Sequence, residues 1–493
     1  MSQPFTPIQA PQNTPTYRFN RRRLVTPSAV APTVGFREAL SPIQSLSLAL
    51  VCVYLFFITS RIFDLVLSGL RIPMIFFVLS IVAALLSGNI LHVLQRRTVQ
   101  VMMLIVGWVA VATVFSVYRA ASLEVFQGTL VACILGIAML CVVVNTECSL
   151  RQMRTLTYST TAAALLGFVF GVRVQDRLTL YNGTYGDPNQ YAMGLLIGLP
   201  LLVFLARARG LFGKLLSYSS AAVIFVAFVR AGSRGGAIAL LVMLVIWFFH
   251  LTFGQKVVMA GIVIAALTGA LAILPDYLKV RYTTLFSAEG AEATARLSAN
   301  QLDQLEGDIG SSGSRLQLLK DGVELTARHP FFGVGPGQFG MARWDIRIKQ
   351  TGLNVGNFQT HNAYLQISSE TGVIGLALLL YLIVLSFKDV AAVLRLRSSA
   401  EYNIPRHIFD TAMGLRLTLT TLVVGAIFLS VAYSQLFFIA GAFACGLRAS
   451  VERELPKWRV ADAAGGNDAP KAEAGKPNLL AQTARRVNPA HQF

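Results

Sequence analysis

Apolar runs long enough to cross a bilayer recur along this chain, and they restrict its fold more than any other feature. They lie near 43–60, 73–91, 100–117, 127–144, 155–172, 191–206, 215–229, 235–252, 257–274, 366–387, 412–430 and 432–447. A helix needs roughly 20 mostly apolar residues to span a hydrocarbon core, so the pattern predicts about twelve transmembrane helices. With 54% hydrophobic residues, 13% charged residues and a mean hydropathy of +0.59, a water-soluble globule could not cover its apolar content. The expected fold class is all-α, a polytopic membrane protein.

Orientation follows from the short loops, where Lys and Arg mark the cytoplasmic side. Arg18, Arg21, Arg22, Arg23 and Arg37 place the N-terminus inside; Arg96, Arg97, Arg151, Arg154, Arg207, Arg209, Lys214, Lys256, Lys388, Arg395, Arg397 and Arg406 then all fall inside as well. The polar stretch 275–360 emerges on the far side with its basic residues balanced by Asp and Glu. The net charge of +18 is thus mostly cytoplasmic, and it reflects topology and anionic lipid contact rather than nucleic acid. The expected organisation is a disordered cytoplasmic arm (1–42), an N-terminal transmembrane bundle (43–274), a periplasmic catalytic loop (275–360), C-terminal transmembrane helices (361–448) and a flexible cytoplasmic tail (449–493). Cys52, Cys133, Cys141, Cys148 and Cys445 lie in spans or at inner edges, which supports neither a disulfide framework nor a Cys metal site.

Polar motifs collect on the outer side. In VRAGSRGG, Arg230 and Arg234 stand four residues apart among Gly232, Gly235 and Gly236, a backbone that can approach a ligand closely. Two snorkelling interfacial anchors are the alternative, but the topology rule gives no reason for positive charge on this side. In GSSGSRLQLLKDGVELTARHP, Ser312 or Ser314 reads as a helix N-cap and Pro330 as the stop, which puts Arg315 in the first turn. A cation there opposes the helix dipole unless an anion binds nearby; a salt bridge to Asp308 or another loop carboxylate is the other reading. HPFFGVGPGQF reads as a structural turn, with Phe331 and Phe332 packed against it. It has neither the Gly-Lys-Ser/Thr of a Walker loop nor a surrounding βαβ unit.

In THNAYLQISSETGVIG, His361 starts the helix that re-enters the membrane, where a side chain able to take a proton near neutral pH is useful. A backbone-bonded interfacial histidine is the alternative. No HExxH spacing accompanies it, which argues against zinc. Glu370, nine residues on, lies more than two turns deeper and is no obvious partner. In GTYGDPNQYAMG, Asp187, Pro188 and Asn189 read as a turn that starts the next helix; contact with an acceptor sugar is the second reading.

SRGG, the arginine with HPFFGVGPGQF, and THNAYLQ together resemble the family of O-antigen ligases and O-antigen polymerases, and GDPNQYA is similar to it too, over roughly 180–385. The resemblance implies a GT-C-like inner-membrane glycosyltransferase facing the periplasm, without metal or nucleotide cofactor. Such an enzyme moves a glycan en bloc from undecaprenyl pyrophosphate to a hydroxyl acceptor, with inversion at the anomeric carbon. It further implies Arg234 and Arg315 as holders of the pyrophosphate, His361 as activator of the acceptor, and Arg230, Asp187 and Asn189 as further pyrophosphate or glycan contacts. Expected partners are the lipid-linked donor, a glycan or lipid A-core acceptor, the bilayer, and polysaccharide export or chain-length proteins.

Within the family a polymerase is preferred to a ligase acting on lipid A-core; a protein O-oligosaccharyltransferase is a third reading. From another class, a lipid-linked glycan flippase or transporter is disfavoured because coupled transporters place ionisable groups at mid-membrane. The spans 43–60, 100–117, 127–144, 155–172 and 257–274 carry no Asp, Glu, Lys or Arg. The topology is testable with single Cys probes at Ser311 and Ser399 in otherwise Cys-free protein. An impermeant thiol reagent should label Ser311Cys from the periplasm and Ser399Cys only after the inner membrane is opened; labelling of both from one side would refute it.

Overall fold

Lipid offers backbone N–H and C=O groups no hydrogen-bond partner, so a chain that crosses it closes those bonds within each segment. The computed structural model describes residues 40–63, 71–174, 176–180, 183–273, 278–279, 315–351 and 358–460, and the packing below is that of the unit beginning at Pro42. Long helices stand at every predicted run: α1 Pro42–Ser60, α2 Ile72–Leu86, α3 Arg97–Val114, α4 Arg119–Cys141, α5 Thr146–Phe170, α6 Pro188–Ala206, α7 Leu211–Ala231, α8 Arg234–Phe249 and α9 Phe253–Ile273. After the polar loop come α12 Ala363–Arg395, α13 Arg406–Gly425 and α14 Gln435–Glu454, preceded within the loop by α10 (315–328) and α11 Phe339–Thr351. Among the described residues, 8 helices are long and apolar enough to cross a membrane, and α2 and α8 are shorter apolar helices. The chain is an all-α polytopic membrane protein. Residues 449–460, grouped in sequence with the tail, complete α14 and pair back through a Tyr402–Arg459 bridge. Residues 1–39 and 461–493, which hold most of the expected arm and tail, lie outside the described residues.

α6 lies at the centre, packed against α5, α7 and α13. Small residues permit the close approach: a Cβ on Gly198 would collide with the Thr160 side chain, and one on Gly167 with the Tyr191 hydroxyl. One element was not foreseen. Val172–Val174 and Arg177–Thr179 form an antiparallel hairpin between α5 and α6, with Asp176 at φ 56° in its turn.

Loops predicted to share the inner side meet at one end of the bundle. Arg96 pairs with Glu452 at 3.0 Å, Arg448 with Asp389 at 2.9 Å and Arg207 with Asp410 at 3.0 Å, and the Thr146 hydroxyl donates to Glu454. Loops predicted to lie outside meet elsewhere, as where the Val117 amide donates to the Val334 carbonyl and the His361 amide to Ser430.

The described part of the polar loop has its own small core of Leu318, Leu325, Val334, Phe339 and Ala342 between α10 and α11. Beside it, buried Asp321 accepts from Arg343 at 2.7 Å, from Gln317 at 2.8 Å and from Arg347. Burial works to raise the Asp321 carboxyl, but hydrogen bonds from Arg347, Arg343 and Gln317 outweigh it and hold the group below the ordinary carboxylate range. The Arg343 side chain is only 8% exposed, so removing Asp321 takes a carboxylate away from a buried cation. Asp321→Ala should cost about 3–5 kcal/mol locally, read as faster amide exchange across 315–347. Because the folded pKa is depressed, the stabilisation holds above the ordinary Asp value of about 3.9 and is lost as pH falls through the lower folded value. Unchanged exchange in the Ala variant would mean that the ion cluster does not hold the two helices together.

Candidate active site

The site begins at a two-residue turn. Gly232, at φ 60°, ends α7 in the left-handed conformation. Ser233 then caps α8, its hydroxyl accepting from the Gly236 amide at 3.2 Å, so Arg234 is the first residue of α8. The backbone is pressed into its surroundings here: a Cβ on Gly235 would come within 2.6 Å of Phe428, and one on Gly236 within 2.9 Å of Phe228. A cation at the first position of a helix stands against its positive dipole end, where anions are favoured. Arg234 thus has the kind of unfavourable placement expected of Arg315, which is the first described residue of α10. The caps expected at Ser312 or Ser314, and the alternative partner Asp308, lie outside the described residues.

Arg234 and Arg315 line one cleft, with Asn189, Ser233, Gly235, Gly236, Phe428 and Leu429. Burial, followed by repulsion from Arg234, lowers the Arg315 guanidinium from its ordinary value, and Asp187 opposes the shift. Two guanidinium groups and a helix N-terminus thus converge where an anion would relieve all three. The cavity between them holds only about 10 Å³, so the side chains must part to admit a diphosphate.

Asp187 caps α6 as expected, its carboxylate accepting from the amides of Asn189 at 2.6 Å and Gln190 at 3.0 Å, with Pro188 in the first turn. It also stands near enough to Arg315 and His361 to act on the charge of both. Asn189 is held by Arg177, which donates to its Oδ1 at 2.7 Å and to the Ala231 carbonyl at 2.9 Å. Arg177 was missed in sequence. Positive charge on an outer loop was the available signal, as it was for Arg230 and Arg234.

His361 precedes α12 in the left-handed region, at φ 50°, with its amide donating to Ser430 Oγ at 2.9 Å. Asn362 caps α12 by accepting from the amides of Tyr364 at 2.9 Å and Leu365 at 3.0 Å. Burial, then the positive charge of Arg315, pushes the imidazole below its ordinary value, with Asp187 pulling the other way. The shift favours the neutral ring, the form able to accept a proton. Arg230 does not line the cleft of Arg234 and Arg315; it borders a different one, between α7 and α9. Among the described residues, no group of three or more His, Cys, Asp or Glu is placed to hold a metal.

The glycine-rich turn locks the loop to the membrane helix. α12 breaks at Gly372 (φ 74°, ψ −179°), and the turn fits into the break: Val334 and Gly335 amides donate to the carbonyls of Ser369 and Glu370, both at 2.9 Å, and Val373 donates to Pro330 at 2.8 Å. The buried Glu370 carboxylate accepts from the Gly337 amide at 2.7 Å and the Phe339 amide at 3.3 Å. Its partner is the turn, not His361. Phe332 stacks on Phe115 and Trp108, with ring centroids 4.4 and 5.5 Å away. Phe331, expected to pack beside it, is instead 65% exposed, because the break gives space only to the backbone on its side. Both features can be removed singly. Glu370→Ala leaves buried N–H groups unsatisfied at about 1–3 kcal/mol each, and Gly372→Ala drives a Cβ into the Phe331 carbonyl. Each change should speed exchange of the Gly335 and Gly337 amides and lower activity in inserted protein; native protection in both would show that the turn docks by other contacts.

The family model described as O-antigen ligase (Wzy_C) matches residues 219–380. The matched stretch contains Arg230, Arg234, Arg315, His361 and Glu370, while Asp187 and Asn189 precede it. No curated protein matches the chain. Residues 219–380 of the chain are thus similar to the O-antigen ligase family.

Proposed function

We propose that this protein is an inverting glycosyltransferase that moves an oligosaccharide en bloc from undecaprenyl pyrophosphate to a hydroxyl acceptor during surface polysaccharide synthesis. The observation that carries the reading is the cleft in which Arg234, Arg315 and the N-terminus of α8 converge, with the uncharged His361 imidazole close enough to feel Arg315. In the proposed step the acceptor oxygen attacks the anomeric carbon, the bond from that carbon to the pyrophosphate oxygen breaks, and the electron pair leaves with the lipid pyrophosphate. The guanidinium forks stabilise the charge that grows on the leaving oxygen. His361 takes the acceptor proton, and Asp187 stabilises the imidazolium so formed. Asn189, fixed by Arg177, contacts donor or glycan at the cleft wall. The domain match and the apolar helices support a membrane enzyme of this class; the periplasmic orientation rests on the charge of the loops.

Within the class, the reading carried forward is a polymerase that joins repeat units. Glycan analysis of a deletion strain decides this: polymer shortened to one repeat unit means polymerase, while full-length polymer missing only from lipid A means ligase.

His361→Asn suits the left-handed backbone, which Asn tolerates, yet cannot take the proton. It should lower transfer from the lipid pyrophosphate donor about 10²–10⁴-fold in reconstituted protein. Arg234→Lys and Arg315→Lys keep charge but lose the bidentate fork, so both should lower turnover. Because His361 is held below its ordinary value, the wild-type rate should fall on acidification only below about pH 6.5. Near wild-type transfer by the Asn variant would remove His361 as the base, and near wild-type transfer by both Lys variants would remove the pyrophosphate assignment.

A further inference from the structure

The turn that joins α13 to α14, residues 426–434, lies beyond the family match, which ends at residue 380, yet it touches both halves of the site. On one side Phe428 and Leu429 line the cleft of Arg234 and Arg315, and Phe428 is seated against Gly235 in the first turn of α8. On the other, Ser430 Oγ accepts from the His361 amide at 2.9 Å and lies 3.3 Å from Thr360 Oγ1. Thr360, only 1% exposed, gives its own proton to the Asn362 carbonyl at 2.9 Å, so the Ser430 proton goes to Thr360. The turn is itself pinned to α12, where Gln366 Oε1 accepts from the Ala432 amide at 3.1 Å.

His361 holds φ 50°, a conformation that persists in a non-glycine residue only where its surroundings over-determine it. The bonds made by Asn362 stay within the start of α12 and its approach. Among the described residues, the hydrogen bonds of 360–362 that leave this segment are those to Ser430. Removing that acceptor leaves the His361 amide unsatisfied and takes away the bond that opposes relaxation of the backbone, which would carry the ring with it. We propose that Ser430 is a positioning residue of the transfer reaction, holding the His361 backbone in the conformation that presents the imidazole to the acceptor. The inference rests on the proposed role of His361 as base. It assigns a part in the reaction to a turn outside the matched stretch. One short segment braces the first turn of α8 through Phe428 and the base through Ser430, so it fixes the spacing between leaving-group cleft and base.

Ser430→Ala removes the acceptor, and Ser430→Thr keeps it. With full-length reconstituted protein and an undecaprenyl-pyrophosphate-linked repeat unit as donor and acceptor, kcat should fall about tenfold or more in the Ala variant, the scale of rate lost to a small misplacement. KM should stay unchanged, because the arginines are untouched, and the Thr variant should recover most of the rate. In a His361→Asn background Ser430→Ala should cost nothing further, since no base is left to position; a merely structural serine would lower both backgrounds alike. Ser430→Cys, close in size with a weak acceptor, replaces the Ala variant if that fails to insert. A second readout is independent of turnover. The chain has six histidines, so selective nitrogen-15 labelling isolates the His361 amide, whose exchange should quicken in Ser430→Ala. Wild-type kcat in Ser430→Ala while His361→Asn is impaired, an equal loss in both backgrounds, or unchanged exchange of the His361 amide would each overturn the inference. A wild type that transfers nothing, or an unimpaired His361→Asn, would refute the reaction or the base instead, and the amide would still report whether Ser430 holds the backbone.

Discussion

The site depends on one buried carboxylate. Glu370 sits inside a membrane helix, yet it serves the polar loop, accepting the Gly337 and Phe339 amides while its own carbonyl accepts the Gly335 amide. In a continuous helix that carbonyl would be spent four residues further along. The break at Gly372 releases it, and the loop turn takes over bonds that the helix gives up. Irregular backbone at such a depth is tolerated where protein re-satisfies the freed groups. Stacking of Phe332 on Phe115 and Trp108 and the bond between the Thr326 and Ser368 hydroxyls add to this exchange in joining the loop and α10 to the bundle.

On that platform the site concentrates charge of one sign. Arg234 stands at a helix N-terminus, Arg315 shares its cleft, and the nearby charge of Arg315 works against a charged His361. Stability alone would not favour such a cluster. Asp187 supplies the opposing charge, and the hydrogen bonds it accepts from the start of α6 hold it in place.

Much of this was legible in the residues. The bilayer imposes a length and an apolarity on each span, so the helices stood where the runs predicted. Asp187 and Pro188 announced the start of α6, and the grouping of Arg234 with Arg315 was what the family resemblance implied. Three features were hidden for physical reasons. Strands of three residues, Val172–Val174 and Arg177–Thr179, are too short for alternation to register. The role of Glu370 rests on amides some thirty residues away in sequence, and no local pattern encodes their approach. Arg230 and Arg234 stand four residues apart at one turn, yet a left-handed glycine ends one helix between them and they border different clefts.

The left-handed backbone at His361 has a consequence for how variation at this position would be detected. Few side chains adopt φ near +50° without strain; Gly, Asn and Asp are the usual ones, with His also enriched. The replacements that the backbone accepts most readily therefore lack an imidazole. A lineage or a screen that lost His361 to one of them would keep a protein that folds, inserts and accumulates normally. Surveys of expression or membrane abundance would count it as intact, and under the role proposed for His361 only an assay of the glycan itself would find it silent.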